Sequence, residues 1–292
     1  MSVVLAIVGR NLRIFFRDAL NVFFSLLGAV ILFGLYTLFL GNLQTTDLAD
    51  ALPGATTAGV QAYVDSWMFA GIVLITTVTT GLGALAVLVD DDQSGRFRDF
   101  LVAPLRRGQL VLGYLLSAVA VAVILSLLVF VISILYLGLV RETWLPLPSI
   151  ARIVVVVLLS CIAFTSISAL IVSFVRTNGA FSGLATIVGT VLGFIAAAYI
   201  PIGAFPEAVA SVVAALPFAQ AGMLMRREFS DGTLAAITAD APGADEALRA
   251  FYGIDLSVGE VPVSAWFVVA LLAGITVLCT VLSAVRIRSR IR

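Results

Sequence analysis

The residues whose types and spacing could do chemistry are concentrated in one polar stretch, residues 90–108, which separates two long apolar runs. This stretch holds eight of the chain's 34 charged residues and begins with three consecutive aspartates. Within it, Phe97, Phe100 and Leu101 fall at positions i, i+3 and i+4, which places them on one face of a helix. An apolar ridge on a short charged segment is suited to docking against a surface outside the bilayer.

The same stretch predicts a short helix from Gln93 to Ala103. Asp90–Asp92 suit the positive end of the helix dipole at its amino terminus, and Pro104 would end the helix because proline removes a backbone donor. Two interpretations fit this segment: it lies on lipid headgroups, or it docks onto a partner protein. Three charged residues would lie away from the apolar ridge: Arg96, Arg98 and Asp99.

The absent residue types exclude several kinds of chemistry. The chain contains neither His nor Lys, so the commonest transition-metal ligand and the usual general base near neutral pH are both missing. Without Lys there is no phosphate-binding loop of the G-x-x-x-x-G-K-[ST] type, and we expect no ATP hydrolysis by that route. Cys161 and Cys279 lie in apolar runs and are interpreted as small buried hydrophobes. We therefore predict no catalytic residue, no metal site and no cofactor in this chain.

The composition indicates an integral membrane protein. The chain has 292 residues, of which 61% are hydrophobic and only 12% are charged, and its mean hydropathy is +1.15, whereas about a quarter of the residues in soluble domains are charged. We expect a single membrane domain over residues 1–292, with no cleavable signal peptide. All 17 basic residues are Arg, which favours a GC-rich bacterial genome and hence a bacterial inner membrane.

Hydropathy and charge predict the topology. Residues 3–18 carry three arginines on one helical face and aromatic residues on the other, which is typical of a helix in the membrane interface, although a plain basic flank of the first span also fits. On the side of the membrane that holds the amino terminus there are twelve arginines, and on the opposite side there are five. Because cytosolic segments are enriched in basic residues, both termini are predicted to be cytosolic. Six spans of sufficient length follow the first helix, at about residues 20–40, 67–89, 109–139, 151–175, 180–200 and 264–286.

Between the last two predicted spans lies an apolar run, residues 201–225, that is interrupted by Pro201, Pro206 and Pro217. Proline removes helical hydrogen bonds, and irregular backbone at membrane depth survives only where protein or a water-filled cavity satisfies it. We predict two short re-entrant helices here; a segment lying flat in the headgroups is the alternative. Residues 226–262 are predicted to be the largest extracellular loop, and residues 41–65 an acidic outer loop.

The predicted spans contain Ser and Thr but no Asp, Glu, His or Lys near their centres. Proton- or ion-coupled carriers ordinarily need a titrating or coordinating group at that depth, so the chain is expected to take its energy from a partner. The Thr- and Gly-rich faces of spans two and five, with the proline corners, are candidates for a translocation path, and simple helix packing is the alternative. The candidate path residues are Thr76, Thr80, Gly83, Thr186, Thr190, Phe205, Pro206 and Pro217.

Two separated motifs carry a resemblance to a known family. The loop motif is an acidic residue, x-x-Gly, a short hydrophobic helix, Pro, basic residues and then Leu-x-x-Gly; the second motif is Pro206, Leu216-Pro217 and Leu224-Met225-Arg226-Arg227 before the last span. Together they resemble the type-2 permease family of ATP-binding cassette exporters. Asp stands where that family usually has Glu, and Tyr114 stands where Lys often follows the glycine. The loop motif comprises Asp92, Gly95, Phe100, Leu101, Pro104, Arg106, Arg107, Leu110 and Gly113.

The resemblance implies an all-α integral membrane fold with six transmembrane helices, an N-terminal interfacial helix, a cytosolic coupling helix between spans 2 and 3, and a re-entrant pair between spans 5 and 6. It also implies two copies of a separate ATPase subunit, which would carry ATP and Mg. The residues it assigns to ATPase coupling are Asp92, Gly95, Arg96, Phe97, Phe100, Leu101, Pro104, Arg106 and Arg107.

Further partners implied by the resemblance are a second permease subunit, either a copy of this chain or a paralogue, and membrane lipid; no nucleic acid is expected. Because the path is apolar and free of charge, a drug-like or small hydrophobic compound is the first expected substrate and a lipid or glycolipid the second. An ion-coupled secondary transporter is the alternative function, and an intramembrane enzyme is a weaker one because no His and no pair of mid-span carboxylates is present.

Overall fold

The computed structural model describes residues 3–96, 107–259 and 261–290, with side chains through residue 287 in the last helix. Nearly all of this part of the chain is helical, and its two strands, of two residues each, form one hairpin. The elements are α1 (Val3–Arg17), α2 (Ala19–Leu35), a π-helical turn (Tyr36–Leu40), α3 (Gly41–Ala51), α4 (Thr57–Ala84), α5 (Ala86–Gln93), α6 (Arg107–Val140), α7 (Leu147–Val172), α8 (Asn178–Ile195), a 3-10 turn (Ile202–Ala204), α9 (Glu207–Ala215), α10 (Pro217–Thr238), α11 (Ala244–Phe251), β1 (Ser257–Val258), β2 (Val261–Pro262) and α12 (Ala265–Arg290).

The predicted all-α membrane fold is confirmed. In the described part of the chain, six helices or continuous helix runs are long and apolar enough to cross a bilayer, and each overlaps one of the predicted spans. The runs are Ala19–Ala51, Thr57–Gln93, Arg107–Val140, Leu147–Val172, Asn178–Ile195 and Ala265–Ile287.

The predicted outer loop 41–65 is wrong. The first span continues through α3 to Ala51, and α4 already begins at Thr57, where the Thr56 hydroxyl accepts the Gly59 N–H at 3.1 Å. The wide π-turn brings the backbone close to Gly41: a Cβ there would lie 2.6 Å from the Tyr36 carbonyl oxygen. The polar residues whose sequence pattern suggested a loop therefore lie on the exposed face of a continuing helix.

Helix α4 forms the centre of the bundle. Buried residues make up 78% of the most apolar stretch of its run, and it packs against α2, α6, α7 and α10. Small residues permit this close packing, because a Cβ on Gly83 would lie 2.6 Å from the hydroxyl oxygen of Ser25 in α2. By contrast, only 11% of the corresponding stretch of α8 is buried. Helix α8 is therefore a peripheral helix of the single chain.

The proline-interrupted run forms a bent pair of helices. Helices α9 and α10 meet at an angle of 84°, and each begins directly at or after a proline, Pro206 for α9 and Pro217 for α10. Proline is tolerated in a first helical turn, where its missing N–H has no intrahelical partner to lose. Helix α10 does not end near residue 225 as predicted. It continues to Thr238, so the first third of the predicted loop 226–262 is helical, and α11 and the β1–β2 hairpin occupy much of the rest.

Helix α1 packs along the first turns of α6 at one end of the bundle, which we name the α1 end; the opposite end, with α11, is the α11 end. Ile7 of α1 lies against Gly113 of α6, where a Cβ would come within 2.6 Å of the Ile7 Cγ2 atom. A separate apolar cluster at the α1 end joins α1, α5, α6 and the end of α4. The predicted interfacial helix is thus attached to the bundle through one face.

The helix predicted over Gln93–Ala103 differs in its start. Gln93 is the last residue of α5, Ser94 caps that helix, and Gly95 follows with a φ of +77°, a left-handed conformation typical of a helix end. Asp90–Asp92 therefore occupy the last turn of α5 and not the amino terminus of a new helix. The remainder of the predicted coupling helix, residues 97–103, lies outside the described residues.

Candidate functional site

One buried carboxylate joins several elements at the α1 end. Asp91, at the end of α5, is completely buried. Its two oxygens accept both terminal nitrogens of Arg10 from α1, at 2.6 and 2.9 Å. It also accepts an N–H of Arg96 at 3.2 Å and the hydroxyl of Tyr114 from α6. We name Asp91 and these three partners the polar junction; its carboxylate connects α1, α5, α6 and Arg96, the last described residue before residue 97.

The electrostatics of the junction favour the charged state of its arginines. The hydrogen bond to Asp91 raises the pKa of Arg10 above its ordinary value and outweighs the opposing effect of burial. The pKa of Arg96 is also raised, first by its hydrogen bond to Asp91 and then by that to Asp90. A buried carboxylate is stable only when its lone pairs are occupied by strong donors. The bidentate Arg10 contact together with the Tyr114 hydroxyl supplies such donors.

Two further contacts extend the junction. Asn11, beside Arg10, donates to the Ser117 hydroxyl at 3.1 Å and makes a second polar link between α1 and α6. On the other side, the Gln93 side-chain oxygen accepts the Asn178 backbone N–H at 2.7 Å at the start of α8. A displacement of the 90–96 segment would therefore pull on the interfacial helix and on the start of α8.

The described coupling residues surround this junction. Asp92 is half-buried in the last turn of α5, Gly95 forms the left-handed helix end, Arg96 is exposed and paired with Asp90 and Asp91, and Arg107 is the exposed first residue of α6. The other five predicted coupling residues lie outside the described residues: Phe97, Phe100, Leu101, Pro104 and Arg106.

Sequence reasoning missed Asp91 as the central group. A signal was available, because Val87 and Leu88 precede Asp91 by four and three residues and so share its helical face. An acidic residue on an otherwise apolar helical face indicates a buried, paired carboxylate. Assigning Asp90–Asp92 to a helix amino terminus obscured that pattern.

A cleft of about 530 Å³ runs between α2 and α8; we name it the α2–α8 cleft. Three predicted path residues line it: Gly83, Thr186 and Thr190. The two threonine hydroxyls donate to the Ser182 and Thr186 carbonyls within α8, at 2.9 Å each, so the lining is largely apolar. Ser25 and Thr79 add polar atoms, and Phe194 and Tyr199 lie toward the α11 end.

The other predicted path residues do not meet in this cleft. Thr76 and Thr80 are completely buried in the bundle and donate to carbonyls of their own helix, as expected for packing residues. Phe205 and Pro206 lie immediately before α9, whereas Pro217 begins α10 at the bend after α9. The structure thus brings together three of the eight candidates and separates the rest.

A buried arginine at the α11 end was not predicted. Arg226 of α10 is completely buried. One terminal nitrogen donates to the Ala196 and Ala197 carbonyls at 2.7 and 2.6 Å, and the other to the Gly253 carbonyl at 3.3 Å. Because Ala196 caps the end of α8, these bonds satisfy carbonyls that a helix leaves without partners.

The surroundings of Arg226 are aromatic. Its guanidinium lies 5.5 Å from the ring centre of Trp67, a favourable cation–π distance, and the indole N–H donates to the Tyr252 carbonyl at 2.8 Å. Arg226 therefore fixes the end of α8 against α4 and the segment before β1. Hydropathy gives no signal for such a residue, since its acceptors are backbone atoms from distant parts of the sequence.

No group of three or more His, Cys, Asp or Glu residues that could hold a metal occurs in the part of the chain that the structure describes. Cys161 and Cys279 are buried free cysteines. The site therefore offers mechanical linkage and an apolar cleft, and its described residues offer no nucleophile activated by a base.

Comparison with known proteins agrees with this architecture. The sequence profile of the family described as "ABC-2 family transporter protein" matches residues 42–285, which run from α3 into α12 and include Asp91, the α8 wall of the cleft and Arg226. Arg10 and helix α2 precede the matched residues. A search of curated proteins found no significant match. With six candidate spans and a profile match over most of its length, the chain belongs to the ABC-2 transporter family and is a multi-pass membrane permease.

Proposed function

We propose that the chain is the membrane subunit of an ATP-binding cassette exporter and that it carries a hydrophobic or amphipathic substrate, powered by a separate ATPase. The polar junction is the observation that carries the proposal. A passive membrane anchor has no need of a buried carboxylate that connects the loop after α5 with three other helical elements. A subunit that receives movement from outside needs such a connection.

In this mechanism, the ATPase binds the segment 97–106 through Phe97, Phe100 and Leu101 on the cytosolic side of a bacterial inner membrane. Movement of that segment displaces Arg96 and the end of α5. Asp91 then transmits the displacement to α1 through Arg10 and to α6 through Tyr114, while Gln93 transmits it to the start of α8. Tilting of α8 relative to α2 widens or narrows the cleft between them.

The exposed face of α8 supports an assembly with a second permease subunit. Gly179 and Gly183 are exposed there, with open space around them, beside exposed Ile187 and Val191. Small residues beside apolar ones permit close helix packing within a membrane. Two permease subunits and two ATPases would enclose the α2–α8 cleft, whose apolar lining suits a drug-like compound first and a lipid second.

The decisive experiment combines co-purification with transport. The chain is expressed with the ATPase encoded beside it, and Phe100→Glu is compared with Val261→Glu, a matched change at an exposed apolar residue of the α11 end. Phe100→Glu is expected to abolish ATPase association without affecting membrane insertion, whereas Val261→Glu retains the ATPase. The mass of the wild-type complex tests the two-plus-two composition.

Normal ATPase association of Phe100→Glu would contradict the docking assignment. Transport by the purified chain alone in vesicles, driven by a proton or sodium gradient, would contradict the whole proposal and support the ion-coupled alternative. When the Phe100→Glu chain and the ATPase are present in the same vesicles, transport is expected to be lost while the variant chain still binds substrate.

A further inference from the structure

A second cleft, of about 450 Å³, lies at the α11 end between the start of α7 and α10; we name it the α7–α10 cleft. Trp144 and Arg152 form one wall, and Glu228 and Asp231 form the other. Its volume falls in the range of small-ligand sites. It lies apart from both the polar junction and the α2–α8 cleft, and neither the translocation path nor ATPase coupling uses it.

The positive and negative side chains of this cleft differ in their exposure to solvent. The Arg152 Nε atom donates to Glu228 at 2.6 Å, and one terminal nitrogen donates to the Ser149 hydroxyl at 3.2 Å. The Arg152 side chain is nevertheless 60% exposed, whereas that of Glu228 is 19% exposed. The guanidinium thus stays accessible at the mouth of the cleft, while the carboxylate lies deeper.

Negative charge exceeds positive charge on the α10 wall. Glu228 and Asp231 are three residues apart on one helix and therefore share a face. Burial, followed by the neighbouring charges of Glu228 and Asp255, raises the pKa of Asp231 against the opposing effect of Arg249, which contacts it at 2.9 Å. A cation placed between the two carboxylates would relieve their repulsion.

The wall formed by Trp144 and Arg152 has the features of a membrane boundary. Arg152 lies only five residues after the first residue of α7, and Leu147 and Val155 of the same helix are 77% and 62% exposed. Trp144, in the connection before α7, is 58% exposed and packs on Gly138, a placement typical of aromatic residues at a membrane interface. In a bilayer, these exposed apolar side chains would place the mouth of the cleft beside acyl chains as well as water.

From this arrangement we infer that the α7–α10 cleft binds the amine-bearing, zwitterionic headgroup of a phospholipid, whose two charges join the existing Arg152–Glu228 and Arg249–Asp231 pairs. The phosphate meets the accessible guanidinium of Arg152, and the ammonium lies between Glu228 and Asp231. The acyl chains remain in the bilayer along Leu147 and Val155. An anionic headgroup without an amine would meet the same arginine but would place its negative charge beside two carboxylates.

The inference is tested on the purified full-length chain in nanodiscs containing equal amounts of phosphatidylethanolamine and phosphatidylglycerol. Native mass spectrometry measures which lipid stays bound to the protein. The wild type is expected to retain phosphatidylethanolamine over phosphatidylglycerol by about tenfold, the ratio that two favourable charged contacts readily supply. Excess soluble phosphoethanolamine distinguishes a free headgroup from a lipid, and the bound lipid is expected to persist in its presence.

Two variants locate the site. Glu228→Gln removes charge, and Gly232→Leu fills the cleft without changing charge; no atom lies within 4 Å of a Cβ built on Gly232, so the substitution is sterically free. Each is expected to reduce the preference to about twofold or less. Gly274→Leu on α12, where the space is equally open, is the matched control and should retain it.

Equal retention of the two lipids by the wild type would overturn the inference, as would an unchanged preference in Gly232→Leu. Displacement of the lipid by soluble phosphoethanolamine would also overturn the lipid assignment, because it would identify a small-molecule site. The experiment needs neither ATPase nor transport, so its outcome is independent of the proposed exporter function.

Discussion

The two ends of the long helical run Thr57–Gln93 each have a buried charged group beside them, and the two groups are held differently. At the α1 end, the Asp91 carboxylate is bound by side chains from three other segments. At the α11 end, the Arg226 guanidinium is bound by three backbone carbonyls. Side-chain partners can change rotamer and exchange, whereas backbone carbonyls move only with their helix or turn.

The difference indicates different mechanical roles. The polar junction can remain connected while its elements shift, because Arg10 and Arg96 are long and partly exposed side chains. Arg226 is enclosed and fixes the end of α8 in one position, with its positive charge at the negative end of that helix. We therefore expect the α1 end to transmit movement and the α11 end to act as a fixed point.

Arg226→Met should give the largest loss of stability. It leaves the Ala196, Ala197 and Gly253 carbonyls without their donor in a buried site, and we expect a loss of about 3–5 kcal/mol in the free energy of unfolding. Denaturant titration in mixed micelles measures it. The neighbouring Arg227→Met removes a half-exposed arginine bound to Asp255 and is expected to cost about 1 kcal/mol or less. Equal effects of the two substitutions would contradict the fixed-point role.

Asp91→Asn is expected to have an intermediate effect. The substitution removes the charge that binds Arg10 and Arg96, at a cost of about 2 kcal/mol; the cost is smaller than for a fully enclosed pair because both arginines can turn toward water. The same unfolding titration applies, with Asp90→Asn as control, since the Asp90 side chain is 51% exposed. A loss of stability as large as that of Arg226→Met would show that the junction is not the more adaptable of the two sites.

Tyr114→Phe should give the smallest effect on stability. It removes one hydroxyl donor from Asp91 and leaves the arginine contacts in place, so we expect a cost of about 1–2 kcal/mol. Transport by the complex should fall more than stability does, because the link between α5 and α6 is weakened. Unchanged coupling of ATP hydrolysis to transport in this variant would remove Tyr114 from the transmitting path.

The sequence predicted which helices exist better than it predicted where each helix ends. The spans, the amphipathic helix over residues 3–18 and the proline-marked starts of α9 and α10, at Pro206 and Pro217, were predictable, because hydropathy and proline act locally. The ends of elements were less predictable. Residues 41–51 and 226–238 are polar enough to suggest loops, yet both are helical, because each keeps its polar face exposed while the other face packs on the bundle.

The candidate site was predictable in outline only. Gly83, Thr186 and Thr190 meet in one cleft because α2 and α8 both pack on α4 and leave the cleft between them, an arrangement that no single helix encodes. Asp92 was favoured over Asp91 although the two are adjacent, since only the helical face decides which of them is buried. The role of Arg226 depends on carbonyls about 30 residues away on either side, and no motif marks them.

What the sequence determined by itself is the class of molecule: an apolar chain, without His or Lys, whose hydrophobic runs must be helical in a bilayer because every backbone polar group there needs an internal partner. Only the tertiary structure decided which charges are buried and what binds them. Burial depends on the packing of helices from distant parts of the chain, and the same Asp or Arg is solvated on one face of its helix and enclosed on another.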